Sequence, residues 1–593
     1  MTSVRSRGFE FPLSSCDHSS HWLSDYSNKK VAKAFRYDTY ATGLALDEIP
    51  KELPGCLDLK RLLGCTTLRC AEEAIKDLIY ENRVASFWQP RDLGSTILTQ
   101  EEHTDHVQTL KEAGVISFER AGLYHWTRYF PVMKTNGLAR AIFDCRQFND
   151  CCTDAPYLNL LRIDVLLNML SAEGWPVLFM HQFDLRHNFY QLSISEELSK
   201  HFGIQCGGIV GRCAVAPMGW KRSPYCCLSI NYAMCITGLR KGLHVGIPDP
   251  SNLSPPAFLE IMSAGGERVG FLFVWYDNIC IMCKDPDIGE KWVDHVRSQL
   301  KRFRAFIKQD EASPIFLGLQ FATSDCHLFW KHADLNRYEN TYVSYDCTRR
   351  EIAHAAGIVL WDKAVSGIPW WDIKEVLKAT QAVGREALTR KSWNEVFPLH
   401  PTQEGAINRG VARVLKGQWY TRQQKQRDVI MMASDASLTT TAFVLLGDET
   451  ADCVISSELA SEPSRIYLLE LHAASMAIQF AATHYKGRRL YLAVDNKGVF
   501  HALRKGFTLV PEAEREFDLI QAALSLGEVE LIPVFVPGVC NVADSPTRAK
   551  RLSRRRLRDT LAYIHAIQKG AVAWRKNAEE SDSEGDSDAD EVV

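Results

Sequence analysis

Residues 271–282 read FLFVWYDNICIM, with apolar runs on both sides of Tyr276, Asp277 and Asn278. That pattern predicts a β-hairpin with a carboxylate at its tip. Residues 181–194, HQFDLRHNFYQLSI, place Asp184 at the end of another apolar strand, with Phe189 shortly after it. Acids so distant in sequence meet only if their strands are neighbours in one sheet. Nucleotidyl transfer needs that arrangement, because two Mg2+ ions about 4 Å apart must share carboxylates while gripping nucleotide phosphates. Taken alone, either aspartate is better read as a turn former or cap.

Upstream, a helix-like segment from Glu101 to Ile116 is ended by Gly114, and RYFPVMKTNGLARAIFDCR carries the turn Thr135-Asn136-Gly137 between two apolar runs. Helix, turn, strand and hairpin follow from these signals. Strands and helices alternate to Phe321. Helical segments rich in tryptophan occupy about 330–425, and a second alternation opens at Val429.

The order of these motifs resembles that of reverse transcriptases. KTNGLARAIFDCRQFN is similar to the finger motif, FDLRHNF to the first catalytic motif and APMGWKRSPY to the second. WYDN is similar to the third, and IKQDEASPIFLG to the lysine and Phe-Leu-Gly motifs that follow it. The resemblance implies that Asp184 and Asp277 share metal ions and that Lys134 and Arg140 contact the incoming triphosphate. It implies that Phe189 excludes a 2′-hydroxyl and that Gly219, Ser223 and Pro224 shape the surface under the templating pair. Read without it, these residues are a solvated finger, core and turn chemistry. The chain departs from the family's Tyr-x-Asp-Asp: Trp275 replaces the tyrosine and Asn278 the second aspartate. An amide oxygen is a poorer magnesium ligand than a carboxylate and brings no charge. Met218 stands where glutamine is usual.

Four acids of the second alternation follow the order Asp435, Glu470, Asp495, Asp544. DVIMMASDAS ends a strand at Asp435, and RIYLLELHAASMAIQF is a helix carrying Glu470. RRLYLAVDNKGVFHAL passes from strand to helix through Asp495, and VFVPGVCNVADSPTR contains Asp544. Singly, each is a cap or an exposed residue. Together they resemble the carboxylate set of ribonuclease H, which holds two Mg2+ ions for phosphodiester hydrolysis. On the Glu470 helix, Tyr467, Glu470 and Ala474 share one face, and Ile466, Leu469 and Ala473 lie toward another. The segment Asn541 to Arg548 is similar to that of DIRS, Ngaro and VIPER retroelements.

The expected fold class is a multidomain α/β (α+β) protein. Residues 86–330 would form the fingers and palm of a right-hand polymerase and 331–425 a helical thumb or connection. Residues 426–560 would form a ribonuclease H-like α/β domain, leaving 1–85 without a readable role and 561–593 with an acidic, disordered tail. The activities implied are RNA-directed DNA polymerase and ribonuclease H, with Mg2+ or Mn2+ as cofactor. The implied partners are RNA template, DNA primer, RNA-DNA hybrid and deoxynucleoside triphosphates. Integration would need a factor on another chain. The alternative is a domesticated or decayed descendant that binds nucleic acid or host proteins and keeps at most the nuclease.

The 593 residues exceed one hydrophobic core, and the net charge of -3 argues neither for nor against nucleic acid. Arg551, Arg554, Arg555, Arg556 and Arg558 form a basic cluster, readable as a duplex contact, a nuclear-localisation signal or a solvated helix face. No secretory signal or bilayer-spanning run is visible, so an intracellular protein of nucleus or cytoplasm, away from membranes, is expected. Cys280 and Cys283 read as buried thiols, and Cys16, His18 and His21 are too weak a set for zinc.

Overall fold

The computed structural model describes residues 45–568, apart from 81–98, 100, 118–122, 135–136, 159, 172–173, 247–249, 369, 387–392, 422–427, 448–450, 459–465, 507 and 509. Cys16, His18, His21, Thr135, Asn136 and the acidic tail lie outside the described residues. The chain divides into two compact units, Met1–Gln423 and Gln424–Val593, both mixed α/β.

In the first unit, strands β1 (Arg128–Met133) and β2 (Ala139–Asp144) pair antiparallel, with Met133 opposite Ala139. The Lys134 N–H donates to the Leu138 carbonyl at 2.8 Å and closes this hairpin. The central sheet contains β3 (Phe179–Leu185), β4 (His244–Gly246), β5 (Leu259–Met262), β6 (Arg268–Trp275), β7 (Asn278–Cys283) and β8 (Ile307–Ala312). Its order is β8-β3-β7-β6-β5-β4, and every pair is antiparallel. Strand β7 is buried from Ile279 to Cys283, which explains why its sequence is a continuous apolar run. Each fully buried aliphatic or aromatic side chain there contributes roughly 2 kcal/mol. Cys280 and Cys283 are free thiols in this core.

Helices α1 (Arg69–Ile79), α2 (Ser223–Ile236) and α3 (Pro286–Arg302) complete the same core. Asp285 caps α3 by accepting from the Asp287 and Ile288 N–H groups, with Pro286 in the first turn. Helix α2 is buried along nearly its whole length and packs on α1. A buried Arg222–Asp77 ion pair joins the start of α2 to α1. The described part of the N-terminal region is therefore built into the first core. Within the same unit, α4 (Arg349–Ser366), α5 (Trp370–Glu386) and α6 (Pro401–Leu415) enclose a separate apolar cluster that includes Trp393. Thr348 and Glu351 form a capping box at the start of α4, and Gly367, at φ +68°, ends it.

The second unit has β9 (Val429–Ala436), β10 (Thr440–Leu446), β11 (Ala451–Glu458), β12 (Arg489–Val494) and β13 (Glu530–Phe535) in the order β11-β10-β9-β12-β13. Strands β9 to β11 are antiparallel neighbours, whereas β12 runs parallel to β9 and β13 parallel to β12. Helix α7 (Ile466–His484) packs on β9 and β10. The short helix α8 (Asp544–Thr547) and α9 (Arg554–Gln568) follow. Among the described residues no helix is long and apolar enough to cross a membrane.

Candidate active sites

The register of β3 against β7 sets Asp184 opposite Asn278, and β7 against β6 sets Asn278 opposite Trp275. Tyr276 and Asp277 alone form the turn, so Asn278 is the first residue of a strand rather than part of the tip. The Leu185 N–H donates to the Asp277 carbonyl at 2.8 Å, which ties the two acid-bearing strand ends together. The Lys308 ammonium lies 2.7 Å from Asp184 Oδ2. That hydrogen bond raises the lysine's pKa, against the opposing effect of burial. Asn278 Nδ2 donates to Asp277 Oδ1 at 3.0 Å. Where a second carboxylate would repel Asp277, the amide holds it.

The residues implied for nucleotide contact have the following local surroundings. Lys134 Nζ lies 2.6 Å from Asp47 Oδ2. Burial alone would raise the Asp47 carboxyl, but the Lys134 hydrogen bond and charge bring it below its ordinary value. Arg186 and His187 donate to the Glu48 carbonyl at 3.0 and 2.9 Å. Arg140 sits on β2 opposite Val132, half-buried. Phe189 lies in the 3-10 turn Asn188–Gln191, half-buried against the core. Gly219 has φ +132°, and a Cβ there would lie 1.8 Å from the Phe143 carbonyl oxygen. Only glycine fits that approach. Asn149 Nδ2 donates to the Gly219 carbonyl at 2.9 Å, and Ser223 Oγ to that of Pro217 at 2.9 Å, which fixes the loop leading into α2.

In the second unit, Asp435 is the penultimate residue of the central strand β9, Glu470 projects from α7, and Asp495 follows β12. One carboxylate oxygen from each lies within 4.8 Å of the others. Helix α7 is buried on both faces: Leu469, Glu470, Ala473 and Ala474 are all covered, while Ile466, grouped with the apolar stripe in the sequence, is exposed. Burial first, then the charge of Asp495, raises Asp435 to about 7. The same causes, with Asp435 added, raise Glu470 to about 9. Burial raises Asp495 to about 6, and its Oδ1 is buried without a hydrogen-bond partner among the described residues. Crowded, partly orphaned carboxylate oxygens suit a divalent cation, which would relieve their repulsion.

Asp544 is placed differently. Arg548 Nε lies 2.6 Å from its Oδ1, and Arg556 bonds its Oδ2. The structure thus brings three of the four acids into one oxygen cluster and gives the fourth two guanidinium partners. Thr547 Oγ1 donates to Asp435, and the fully buried Asn541 donates from Nδ2 to the Ser434 carbonyl at 3.0 Å. Both lie inside the segment quoted for Asp544, but nothing in their spacing names their partners.

No protein-family model matches the chain, and no curated protein matches it. Solved structures of the foamy viral protease-reverse transcriptase are similar to it. The form complexed with dsDNA is 15% identical, covers 81% of this chain and 96% of its own, and gives a TM-score of 0.40. The form complexed with an RNA/DNA hybrid is 13% identical, covers 80% of this chain and 62% of its own, and gives 0.41. The dRH form with ds DNA is 14% identical over 80% and 81%, with 0.40.

Proposed function

We propose that the chain is an RNA-directed DNA polymerase joined to a ribonuclease H. Its substrates would be deoxynucleoside triphosphates, an RNA template with a DNA primer, and the resulting RNA-DNA hybrid. The observation that carries this reading is the convergence of Asp435, Glu470 and Asp495 on a sheet of order β11-β10-β9-β12-β13, in a chain whose other unit aligns Asp184 and Asp277 at adjacent strand ends. Asp184 and Asp277 would hold Mg2+ or Mn2+ in the first unit, and Asp435, Glu470, Asp495 and Asp544 in the second. Bound there, the ion neutralises phosphate charge and, in the nuclease, lowers the pKa of water. Lys134 and Arg140 would bind the triphosphate, Lys134 leaving Asp47 to do so. Phe189 would close the sugar pocket to a 2′-hydroxyl, and Gly219 would help shape the surface beneath the templating base pair. Thr547 holds one Asp435 oxygen, which would leave the other for the ion.

The source would be a retroelement, and the DIRS, Ngaro and VIPER type rests on the Asn541 to Arg548 segment. Integration would fall to another chain, and the site of action would be nucleus or cytoplasm. A second reading, a relic retaining only the nuclease, draws on Asn278 and on the Lys308 ammonium at Asp184. Primer extension on an RNA template, beside hybrid cleavage by the same preparation, separates the two. Extension in Mg2+ or Mn2+ supports the first reading. Cleavage without extension supports the second.

A further inference from the structure

The Tyr276 carbonyl accepts two side-chain hydrogen bonds, from Asn231 Nδ2 at 2.5 Å and Asn188 Nδ2 at 3.2 Å. Both asparagines are buried, at 0% and 3% exposure. A carbonyl oxygen can only accept, so each amide must present its nitrogen, which fixes its orientation chemically. Asn188 Nδ2 also reaches Cys227 Sγ at 2.8 Å, one turn before Asn231 on α2. Neither Oδ1 finds a donor among the described residues. Leaving a buried amide oxygen unsatisfied is costly, and a site needing only filled volume would hold leucine or methionine instead.

The held peptide matters because of where it lies. Tyr276 has φ +54°, a backbone region that side chains other than glycine enter only when their surroundings impose it. Its carbonyl belongs to the peptide plane preceding Asp277. The plane following Asp277 is fixed in turn by the Leu185 N–H bond to the Asp277 carbonyl. With both flanking planes held, the Asp277 backbone torsions are set, and the Asn278 amide engages its carboxylate. The two donors come from different motifs: Asn188 follows Asp184 on the same segment, and Asn231 lies on the helix that begins after the Gly219 loop.

We infer that Asn188 and Asn231 are positioning residues, clamping the Tyr276–Asp277 peptide so that the Asp277 carboxylate is fixed for a divalent cation. The inference rests on the polymerase reading above and adds two residues to it. The test uses the full chain carrying Asp435→Asn and Glu470→Gln, so that Mn2+ binding reports the first unit alone. Into this parent are placed Asn188→Leu or Asn231→Leu, similar in size and without a donor. Each should weaken Mn2+ binding about tenfold, the equivalent of one buried hydrogen bond. Each should also remove hydrogen-exchange protection from the Leu185 amide, and lower kcat for primer extension with KM for primer and template unchanged. If Asn231→Leu loses its folded spectrum, Asn188→Ser, which adds no bulk, carries the same expectation. Unchanged Mn2+ affinity and unchanged Leu185 protection in the folded variants would overturn the clamp. A parent that neither binds Mn2+ nor extends a primer defeats the polymerase reading instead, and Leu185 exchange still decides whether the clamp exists.

Discussion

Replacing Glu470 with glutamine should stabilise the metal-free second unit at neutral pH while abolishing hybrid cleavage. Glu470 is 7% exposed, and burial with the charges of Asp495 and Asp435 raises the pKa of its carboxyl from 4.5 to about 9. In the unfolded chain the same group ionises near its ordinary value, so folding at pH 7 must take up a proton. By linkage this costs about 1.4 kcal/mol for each pH unit above the unfolded pKa, or roughly 3 kcal/mol at pH 7. Because the folded value is the raised one, stability is intact below about pH 4.5 and falls as pH climbs toward about 9. Glutamine imitates the protonated acid and takes up no proton. The variant should therefore match the parent at pH 4 and exceed it by roughly 2 to 3 kcal/mol at pH 7 without metal. The coupled neighbours Asp435 and Asp495, both raised as well, set the lower end of that range. Denaturant-dependent hydrogen exchange of the β12 amides in the full chain measures it, with and without Mg2+. Mg2+ should stabilise the parent and leave the variant nearly unchanged. Equal stabilities at pH 7 without metal, or a gain of the same size at pH 4, would refute the charge-crowding argument.

Asp184→Ala should abolish primer extension and leave hybrid cleavage near the parent's rate, because the two acid sets lie in separate compact units; equal loss of both in a folded variant would contradict this. Phe189→Ala should admit ribonucleotides into the extended primer, and an active variant that still rejects them would remove Phe189 from sugar selection. Asn278→Asp replaces a donor to Asp277 with a second negative charge, so metal-free stability should fall by about 1 kcal/mol while extension changes rate or metal preference only modestly. Chemical denaturation and extension in Mg2+ and Mn2+ measure the two effects. A parent silent in both ions and revived by the aspartate would show that the asparagine marks decay.

The mixed α/β architecture was legible because local signals and burial agree. The apolar run from Ile279 to Cys283 is buried at every position, and the helix ended by Gly114 occupies Thr104–Glu112 with that glycine at φ +86°. Residues 45–80 were not legible. Their part in the first core depends on long-range pairs such as Asp77 with Arg222 and the packing of α1 on α2, for which no local periodicity speaks. The length of the turn at Tyr276 and Asp277 escaped the sequence for a related reason. A one-residue difference between tip and strand depends on cross-strand register, and the side chains that hydrogen-bond to the turn, Asn188 and Asn231, come from other segments of the chain.

The sites show the same division between residue type and partner. Residue type marks an acid at a strand end, and the fold determines whether that acid meets other acids or a cation. Asp435, Glu470 and Asp495 meet one another, and each pays in a raised pKa. Asp544 meets Arg548 and Arg556, and Asp184 meets Lys308. The arginine cluster was readable as duplex-binding, yet Arg556 turns inward to an acid, at 23% side-chain exposure against 80% for Arg555. Helical spacing alone could not separate them, since adjacent arginines differ only in which way the helix is rotated against its sheet. That rotation is set by Leu557, Leu561 and Ile564, which pack into the second unit's core and bring Arg556 to Asp544. An apolar stripe that looks purely structural therefore determines which arginine neutralises the fourth acid and which remain exposed.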